Sequence, residues 1–180
     1  DASFDAACAS LPASRLPAHP LVDSAPAVRL RNALGQSLPD WLKLRYGRIG
    51  AAPDGVAYPE SVQQVRELIA YAQRNGVSLI PQGGGTSVAG HLTAPAGDKP
   101  VLAVNMTRMG RLHFLDKQSQ LATFGAGVLG PDLEAQLRAQ GYMLGHFPQS
   151  FEYSTLGGWI ATRSSGQQSL RYGRIEQMFA

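Results

Sequence analysis

PQGGGTS, residues 81–87, follows a short apolar run, holds three consecutive glycines and contains no lysine or arginine. We call it the glycine loop. Ordering such a bare backbone costs conformational entropy, so the cluster indicates that something approaches the main chain closely. Peptide N–H groups without Cβ atoms can surround a phosphate, and the hydroxyls of Thr86 and Ser87 can donate further hydrogen bonds. A plain turn is the alternative, although three adjacent glycines exceed what a turn needs.

The absence of lysine from the glycine loop limits the classes of nucleotide that the loop can bind. Loops of the pattern G-x-x-x-x-G-K-[ST] use their lysine to reach the β- and γ-phosphates of a nucleoside triphosphate. That pattern is absent here. A diphosphate bridge without a γ-phosphate fits better, which favours a dinucleotide such as FAD over ATP.

The elements around the glycine loop predict its place in a sheet. Ser61 and Gln64 have the spacing of a capping box, and Gly76 suits the position after a helix, so a helix is predicted over Val62–Asn75. The apolar run VSLIP, residues 77–81, then predicts a strand. The loop therefore follows a strand that follows a helix, the place where open sheets bind ligands.

The rest of the chain predicts a mixture of helices and strands. Residues 1–28 are rich in Ala, Pro and Ser, and we expect an extended arm with little core of its own. The other predicted elements are a short helix between Ser37 and Gly47, strands at 56–58 and 101–106, a hairpin of 111–116 with 121–124, and a helix over 132–140.

A second glycine-rich stretch, STLGGWIATRSSG, reads as a helix start with Ser154 or Thr155 as its cap. Gly157 and Gly158 lie in the first turn, where free N–H groups and the helix dipole can accept an anion. The alternative is that these glycines only allow Trp159 to pack. Two such corners in one small chain favour a single extended ligand that touches both.

The segment GAGVLG, residues 125–130, matches G-x-G-x-x-G, and Glu152 follows at a distance that suits a nicotinamide-nucleotide site. The run before it alternates apolar and polar residues. The first strand of a Rossmann unit is buried on both faces and reads as continuously apolar. We therefore expect these glycines to serve turn geometry and close packing, with a nicotinamide-dependent enzyme as the alternative.

Composition excludes several classes of protein. The chain has 180 residues, of which 44% are hydrophobic and 16% charged, so a packed core is expected. The net charge is +3 and the basic residues are scattered, which argues against nucleic acid as a partner. Cys8 is the one cysteine, which excludes a disulfide framework and a cysteine-based metal site, and we expect no metal. No signal peptide is visible and no apolar run approaches about 20 residues, so we expect no transmembrane segment and a cytoplasmic location.

Two stretches resemble one family: YPESVQQVRELIAYAQRNGVSLIPQGGGTSV, residues 58–88, and GHFPQSFEYSTLGGWIATRSSGQQSLRYGRIE, residues 145–176. Together they are similar to the FAD-binding domain of the vanillyl-alcohol oxidase / p-cresol methylhydroxylase superfamily. Within it, the branch of alkyldihydroxyacetonephosphate synthase, D-lactate dehydrogenase and glycolate oxidase is nearest. The resemblance covers roughly residues 37–180, and its two motifs together are specific.

The resemblance implies an α+β fold, a two-subdomain FAD-binding domain of the p-cresol methylhydroxylase type, incomplete at the C-terminus, with FAD between the subdomains. It divides the chain into an Ala/Pro-rich N-terminal arm, residues 1–36, and the N-terminal portion of the FAD-binding domain, residues 37–180, truncated before a substrate domain. In the family the glycine loop surrounds the diphosphate. The implied cofactor-binding residues are Pro81, Gln82, Gly83, Gly84, Gly85, Thr86, Ser87, Gln149, Ser150, Phe151, Glu152, Tyr153, Ser154, Thr155, Gly157, Gly158, Thr162, Arg163, Ser164 and Ser165.

The chain departs from the family pattern at Gln149, where the synthase relatives usually carry Asp. Its amide can still hydrogen-bond a ribityl hydroxyl but is no charged acceptor. Neither motif holds a His or Cys for covalent attachment, since His91 lies after the loop, so we expect non-covalent FAD. His146 precedes the second motif and reads as a structural histidine or as a residue facing the flavin. Glu152 and Arg163 read as a pair within the site or as a solvated salt bridge.

The resemblance implies a flavin-dependent oxidoreductase acting on a 2-hydroxy acid or a similar CH–OH substrate. One alternative is a synthase-like transferase that uses FAD without net redox change. Another is a nucleotide-binding fragment with no activity of its own. The partners implied are a small-molecule substrate and a second copy in a homodimer of the full-length protein. Catalytic residues are expected beyond residue 180.

Overall fold

The computed structural model describes residues 3–180, which fold into two units. The N-terminal unit runs to Asn105 and the C-terminal unit runs from Met106 to Ala180. Each unit combines helices with a small sheet, as the predicted α+β class requires.

The N-terminal unit is built on a four-stranded sheet of order β1-β2-β4-β3. β2, β3 and β4 are parallel, and β1 pairs antiparallel with β2. The elements in chain order are α1 (Phe4–Ala9), β1 (Val22–Asp23), α2 (Pro26–Arg31), α3 (Leu38–Arg45), β2 (Gly55–Ala57), α4 (Val62–Asn75), β3 (Ser78–Gln82) and β4 (Val101–Asn105).

The predicted helix-strand-loop order is confirmed. α4 begins after Ser61, whose Oγ accepts from the Gln64 N–H, and it ends at Gly76 in the left-handed region with φ 63°. β3 then runs parallel to β4, with Gln82 opposite Asn105. Because β2, β3 and β4 are parallel, their carboxyl ends share one edge of the sheet, and the glycine loop leaves from that edge.

The N-terminal segment has more structure than the sequence predicted. Residues 1–28 were expected to be extended with little core of their own, but the described part contains α1, β1 and the start of α2. The Arg29 guanidinium is buried and donates to the carbonyl oxygens of Pro12 and Pro53. Arg15 binds Asp54 through its own N–H and its side chain. These long-range polar contacts fold the segment onto the sheet, and composition does not reveal them.

The C-terminal unit contains the predicted hairpin. β5 (Leu112–Asp116) and β6 (Leu121–Phe124) pair antiparallel around a turn in which Asp116 accepts from Gln118 and Ser119. The helices that follow are α5 (Gly130–Arg138), α6 (Leu156–Thr162) and α7 (Ser169–Tyr172). The α5 helix begins two residues before its predicted start because Pro131 lies in its first turn. The core of this unit consists of Val128, Leu133, Leu137, Trp159 and Ile175.

Over the described residues, every helix is too short or too polar to span a bilayer.

Candidate functional site

The glycine loop is anchored at both ends, and its middle consists of three glycines without side chains. Gln82 closes β3 and is buried, while Gly84 is exposed. Gly85 has φ 75°, a conformation that costs an L-residue about 1–2 kcal/mol. At the far end the Ser87 carbonyl accepts from the Gln36 N–H at 2.7 Å. The loop therefore has a fixed path, and glycine is required at its middle.

The backbone of this loop has unused donors. Within residues 3–180, the peptide N–H groups of Gly84, Gly85 and Thr86 donate no hydrogen bond. The Ser87 hydroxyl lies 3.1 Å from Nδ1 of His91. Adjacent N–H groups without side chains over them are suited to a phosphate group.

Buried amides line the sheet edge from which the loop leaves. Asn105 Nδ2 donates to Asn32 Oδ1 at 2.9 Å, and Asn32 Nδ2 donates to the Tyr58 hydroxyl at 3.0 Å. Gln82 is 6% exposed, and its Oε1 has no hydrogen-bond partner. A Cβ on Gly85 would lie 3.5 Å from Gln82 Nε2, so the amide lies close to the glycine loop. An unpaired buried acceptor is costly, which makes Gln82 Oε1 a place for a ligand hydroxyl to donate.

The second glycine-rich stretch differs, and here the sequence interpretation was wrong. The first N–H groups of α6 were expected to be free for an anion, but each has an acceptor in its own unit. Leu156 N donates to Val128 O, Gly157 N to Ala126 O, and Gly158 N to Oγ1 of the cap residue Thr155. These three N–H groups are therefore occupied within the unit.

Two of these acceptors, Val128 O and Ala126 O, lie in the segment GAGVLG, whose glycines pack against backbone. A Cβ on Gly125 would overlap Met109 O, one on Gly127 would overlap Met106 O, and one on Gly130 would overlap Phe151 O. The strand before the segment lies in the antiparallel hairpin. The expectation of turn geometry and close packing is confirmed, and the context of a nicotinamide fingerprint, a buried parallel strand, is absent from this hairpin.

Ser154 and Thr155 are buried, and their hydroxyls make hydrogen bonds that stabilise the start of α6. The Ser154 hydroxyl donates to Ser150 O and accepts from Trp159 Nε1 at 2.6 Å. Thr155 caps the helix, as predicted. Arg163 ends α6 with φ 52°. The other predicted residues of this stretch are exposed or half-buried: Gln149, Ser150, Phe151, Glu152, Tyr153, Gly157, Gly158, Thr162, Ser164 and Ser165.

His146 is 1% exposed and packs edge-on against Trp159 with ring centroids 5.0 Å apart. Its Nε2 lies 2.7 Å from the Ser164 hydroxyl, while its Nδ1 has no partner. Burial lowers the pKa of His146, which favours the neutral form of the ring. Glu152 and Arg163 are both exposed, and no ion pair joins them among the described residues.

Sequence reasoning missed Asn32 and Asn105. Asn105 ends the apolar strand VLAVN, and a polar residue at the carboxyl end of a buried strand is a signal that could have found it. Asn32 falls in the segment that was expected to be an arm, so no local signal placed it in the unit.

Residues 53–180 match a protein family described as "FAD binding domain". The alkyldihydroxyacetonephosphate synthase of Dictyostelium discoideum is 41% identical over 150 residues, which are 83% of this chain and 24% of that protein. The D-2-hydroxyglutarate dehydrogenase of Stutzerimonas stutzeri is 27% identical over 83% of this chain and 30% of its own length. A solved alkyldihydroxyacetonephosphate synthase structure matches 94% of this chain and 35% of that one, with TM-score 0.86 and 33% identity.

The chain thus spans about a quarter of the length of the curated synthase that it matches. The matched stretch includes both the glycine loop and residues 149–165.

Proposed function

Because the chain belongs to the FAD binding domain family, whose cofactor is FAD, we propose that the glycine loop, residues 81–87, binds the diphosphate of FAD. The observation that carries this proposal is the row of unused N–H groups on Gly84, Gly85 and Thr86. A diphosphate offers only acceptor oxygens and needs donors of this kind. The hydroxyls of Thr86 and Ser87 add two donors at the far end of the loop.

The residues present fit the cofactor in a second respect. Gln82 Oε1 is a buried acceptor without a donor, and the sugar parts of FAD supply hydroxyl donors. The diphosphate would therefore lie along the loop backbone, with a hydroxyl of the cofactor donating to Gln82. This arrangement needs no cationic side chain in the loop.

For the second segment we propose contacts through exposed groups rather than through the start of α6. Gln149, Glu152 and Thr162 carry polar side chains that face solvent and can hydrogen-bond FAD. Ser154, Thr155 and Gly157 act indirectly, by fixing the path of the chain. We propose non-covalent attachment, because neither 81–87 nor 149–165 contains Cys or His.

When bound, FAD supplies an isoalloxazine ring that takes part in hydride transfer, and the protein residues bind and orient it. For the whole protein we propose flavin-dependent chemistry of one of two kinds. The 41% identity to an alkyldihydroxyacetonephosphate synthase favours an acyl-for-alkyl exchange without net redox change. The similarity to a D-2-hydroxyglutarate dehydrogenase favours oxidation of a 2-hydroxy acid.

The test of cofactor binding is direct. The purified protein should be yellow, and heat or acid should release FAD into the supernatant. A colourless protein that fails to quench the fluorescence of added FAD would overturn the proposal. Flavin that stays with the precipitated protein would contradict non-covalent attachment.

The two reactions are separated by substrate. Bleaching of the flavin by D-lactate, glycolate or D-2-hydroxyglutarate in the absence of oxygen supports the oxidoreductase. Ether-lipid formation from an acyl-dihydroxyacetone phosphate and a fatty alcohol, without reaction with the hydroxy acids, supports the synthase. Reaction with neither leaves FAD binding without activity, the third alternative. A homodimer is checked by light scattering and the cytoplasmic location by cell fractionation.

A further inference from the structure

A buried carboxylate lies beside the part of the chain that carries the glycine loop. Asp40, in the first turn of α3, is 1% exposed. Its Oδ1 accepts from the Thr93 hydroxyl at 3.3 Å, and its Oδ2 has no partner of good hydrogen-bond geometry. Thr93 lies directly after buried Leu92, where the chain returns from the loop region.

The same carboxylate lies beside the contact that fixes the end of the loop. A Cβ placed on Gly35 would be 3.5 Å from Asp40 Oδ2 and 2.6 Å from Ser87 O. The next residue, Gln36, donates its N–H to that Ser87 carbonyl. The turn 35–37 is therefore held between Asp40 on one side and the glycine loop on the other.

The charge on Asp40 is maintained although it is buried. Burial, the largest influence, raises its pKa, but the hydroxyls of Ser37 and Thr93 and the peptide N–H groups of Ser37 and Gly35 outweigh burial and keep the pKa below its ordinary value. Lys43 Nζ is 3.9 Å from Oδ1 and is the cation that pairs with it among the described residues. A charged acceptor that gathers donors from separate segments fixes their relative positions.

We propose that Asp40 is a positioning residue for FAD binding: through Thr93 and through the turn at Gly35 it sets the path of the glycine loop without touching the cofactor. This inference rests on the proposed binding of FAD by the loop. It adds a determinant outside both glycine-rich segments, in a helix that carries no motif for nucleotide binding.

The experiment measures two quantities in the full protein: the Kd for FAD, from fluorescence quenching on rebinding to the apoprotein, and the free energy of unfolding of that apoprotein in urea. Asp40→Asn should raise the Kd for FAD about tenfold, the size of one hydrogen bond to a charged group. Thr93→Val should do the same. The double variant should bind FAD no more weakly than the weaker single variant, because both changes act on the same contact: valine removes its donor, and asparagine, whose Oδ1 still accepts, removes the charge that strengthens it.

Asp54→Asn is the matched control. Asp54 is also a buried aspartate of this unit, but it binds Arg15 and the N–H of Val101, at the amino end of β4 and so at the sheet edge opposite the loop. It should destabilise the apoprotein and leave the Kd for FAD unchanged. If Asp40→Asn does not fold, Thr93→Val replaces it, because it removes the donor to Asp40 Oδ1.

The inference is overturned if Asp40→Asn and Thr93→Val leave the Kd unchanged, or if Asp54→Asn raises it equally at equal loss of stability. The proposed function fails by a different result: Gly84→Val, which changes the loop itself, would then also leave the Kd unchanged.

Discussion

The two glycine-rich stretches of this chain have similar composition but opposite surroundings. In the glycine loop, the N–H groups of Gly84, Gly85 and Thr86 have no acceptor in the described chain. At the start of α6, those of Leu156, Gly157 and Gly158 donate to Val128, Ala126 and Thr155. The glycines of the second stretch allow another segment of the same chain to approach. Our proposal is that those of the first stretch allow a ligand to approach.

The largest loss of stability is expected at Gly127, where two backbone segments of the protein pack most closely. Gly127→Ala would place a Cβ over Met106 O, a backbone atom that cannot rotate away. We expect a loss of about 3 kcal/mol in the free energy of unfolding, at the upper end for overpacking, measured by urea denaturation.

The control for this prediction is Gly141→Ala. Gly141 has φ 83° and open space around its Cβ position, so only backbone strain of about 1 kcal/mol is expected. Equal losses for the two variants would show that contact with Met106 O adds nothing to the cost at Gly127.

The glycine loop should show the reverse pattern, with lost binding and retained stability. Gly84→Val puts a branched side chain into the glycine loop beside the unused N–H groups of residues 84–86, and we expect the Kd for FAD to rise about a hundredfold, or about 2.7 kcal/mol. Fluorescence quenching measures the Kd, and urea denaturation of the apoprotein should change little. Ala96→Val, at another exposed loop position of the same unit, is the control and should alter neither quantity. Unchanged flavin occupancy in Gly84→Val would place the diphosphate elsewhere.

Two adjacent glycines of α6, Gly157 and Gly158, should differ in how much an added Cβ costs in stability. A Cβ on Gly157 would lie 2.7 Å from Ala126 O and 2.9 Å from Ala126 Cβ, whereas one on Gly158 would have Thr155 Oγ1 at 3.2 Å as its nearest neighbour. Gly157→Ala should cost about 2 kcal/mol of stability. Gly158→Ala should be close to neutral, because the gain in helix propensity of about 1 kcal/mol offsets the contact.

These stabilities are read from urea denaturation. Little change in Gly157→Ala would mean that the GAGVLG segment does not hold the start of α6. Lost FAD affinity in Gly158→Ala at full stability would return a binding role to this helix start.

Local patterns predicted much of this fold. Ser61, Gln64 and Gly76 predicted α4, and the alternation around the turn at Asp116 predicted the hairpin, because caps and turns act over a few residues. The contrast between the two glycine-rich stretches was not predictable in this way. It depends on pairings such as Gly157 N with Ala126 O, whose partners are far apart in sequence.

The N-terminal segment and the site show the same limit. Arg15 binds Asp54, which lies 39 residues later in the sequence. Because the contact is long-range, the Ala- and Pro-rich composition of the N-terminal segment did not show that it folds onto the sheet. The glycine loop could be proposed from the sequence because its composition alone marks it. The amides of Asn32 and Asn105 were missed because their polarity has meaning only at the edge where three strands end.

The smallest expected effect concerns His146, a titratable residue packed against α6 in the C-terminal unit. His146 is buried against Trp159 with its pKa lowered by that burial, and its Nε2 lies at the hydroxyl of Ser164, two residues after α6. The unfolded chain binds a proton at His146 below pH of about 6.5, while the folded chain resists it. The contribution of this group to stability is therefore complete above that pH and is lost as the pH falls towards the lowered pKa, by at most about 1.4 kcal/mol per pH unit.

Free energies of unfolding measured between pH 7.5 and 5.5 should show this slope. His146→Gln should reduce the slope, and His113→Gln, at an exposed position of the same unit, should leave it unchanged. An equal slope in His146→Gln would mean that other groups govern the acid sensitivity, and that the packing around α6 does not depend on a neutral ring.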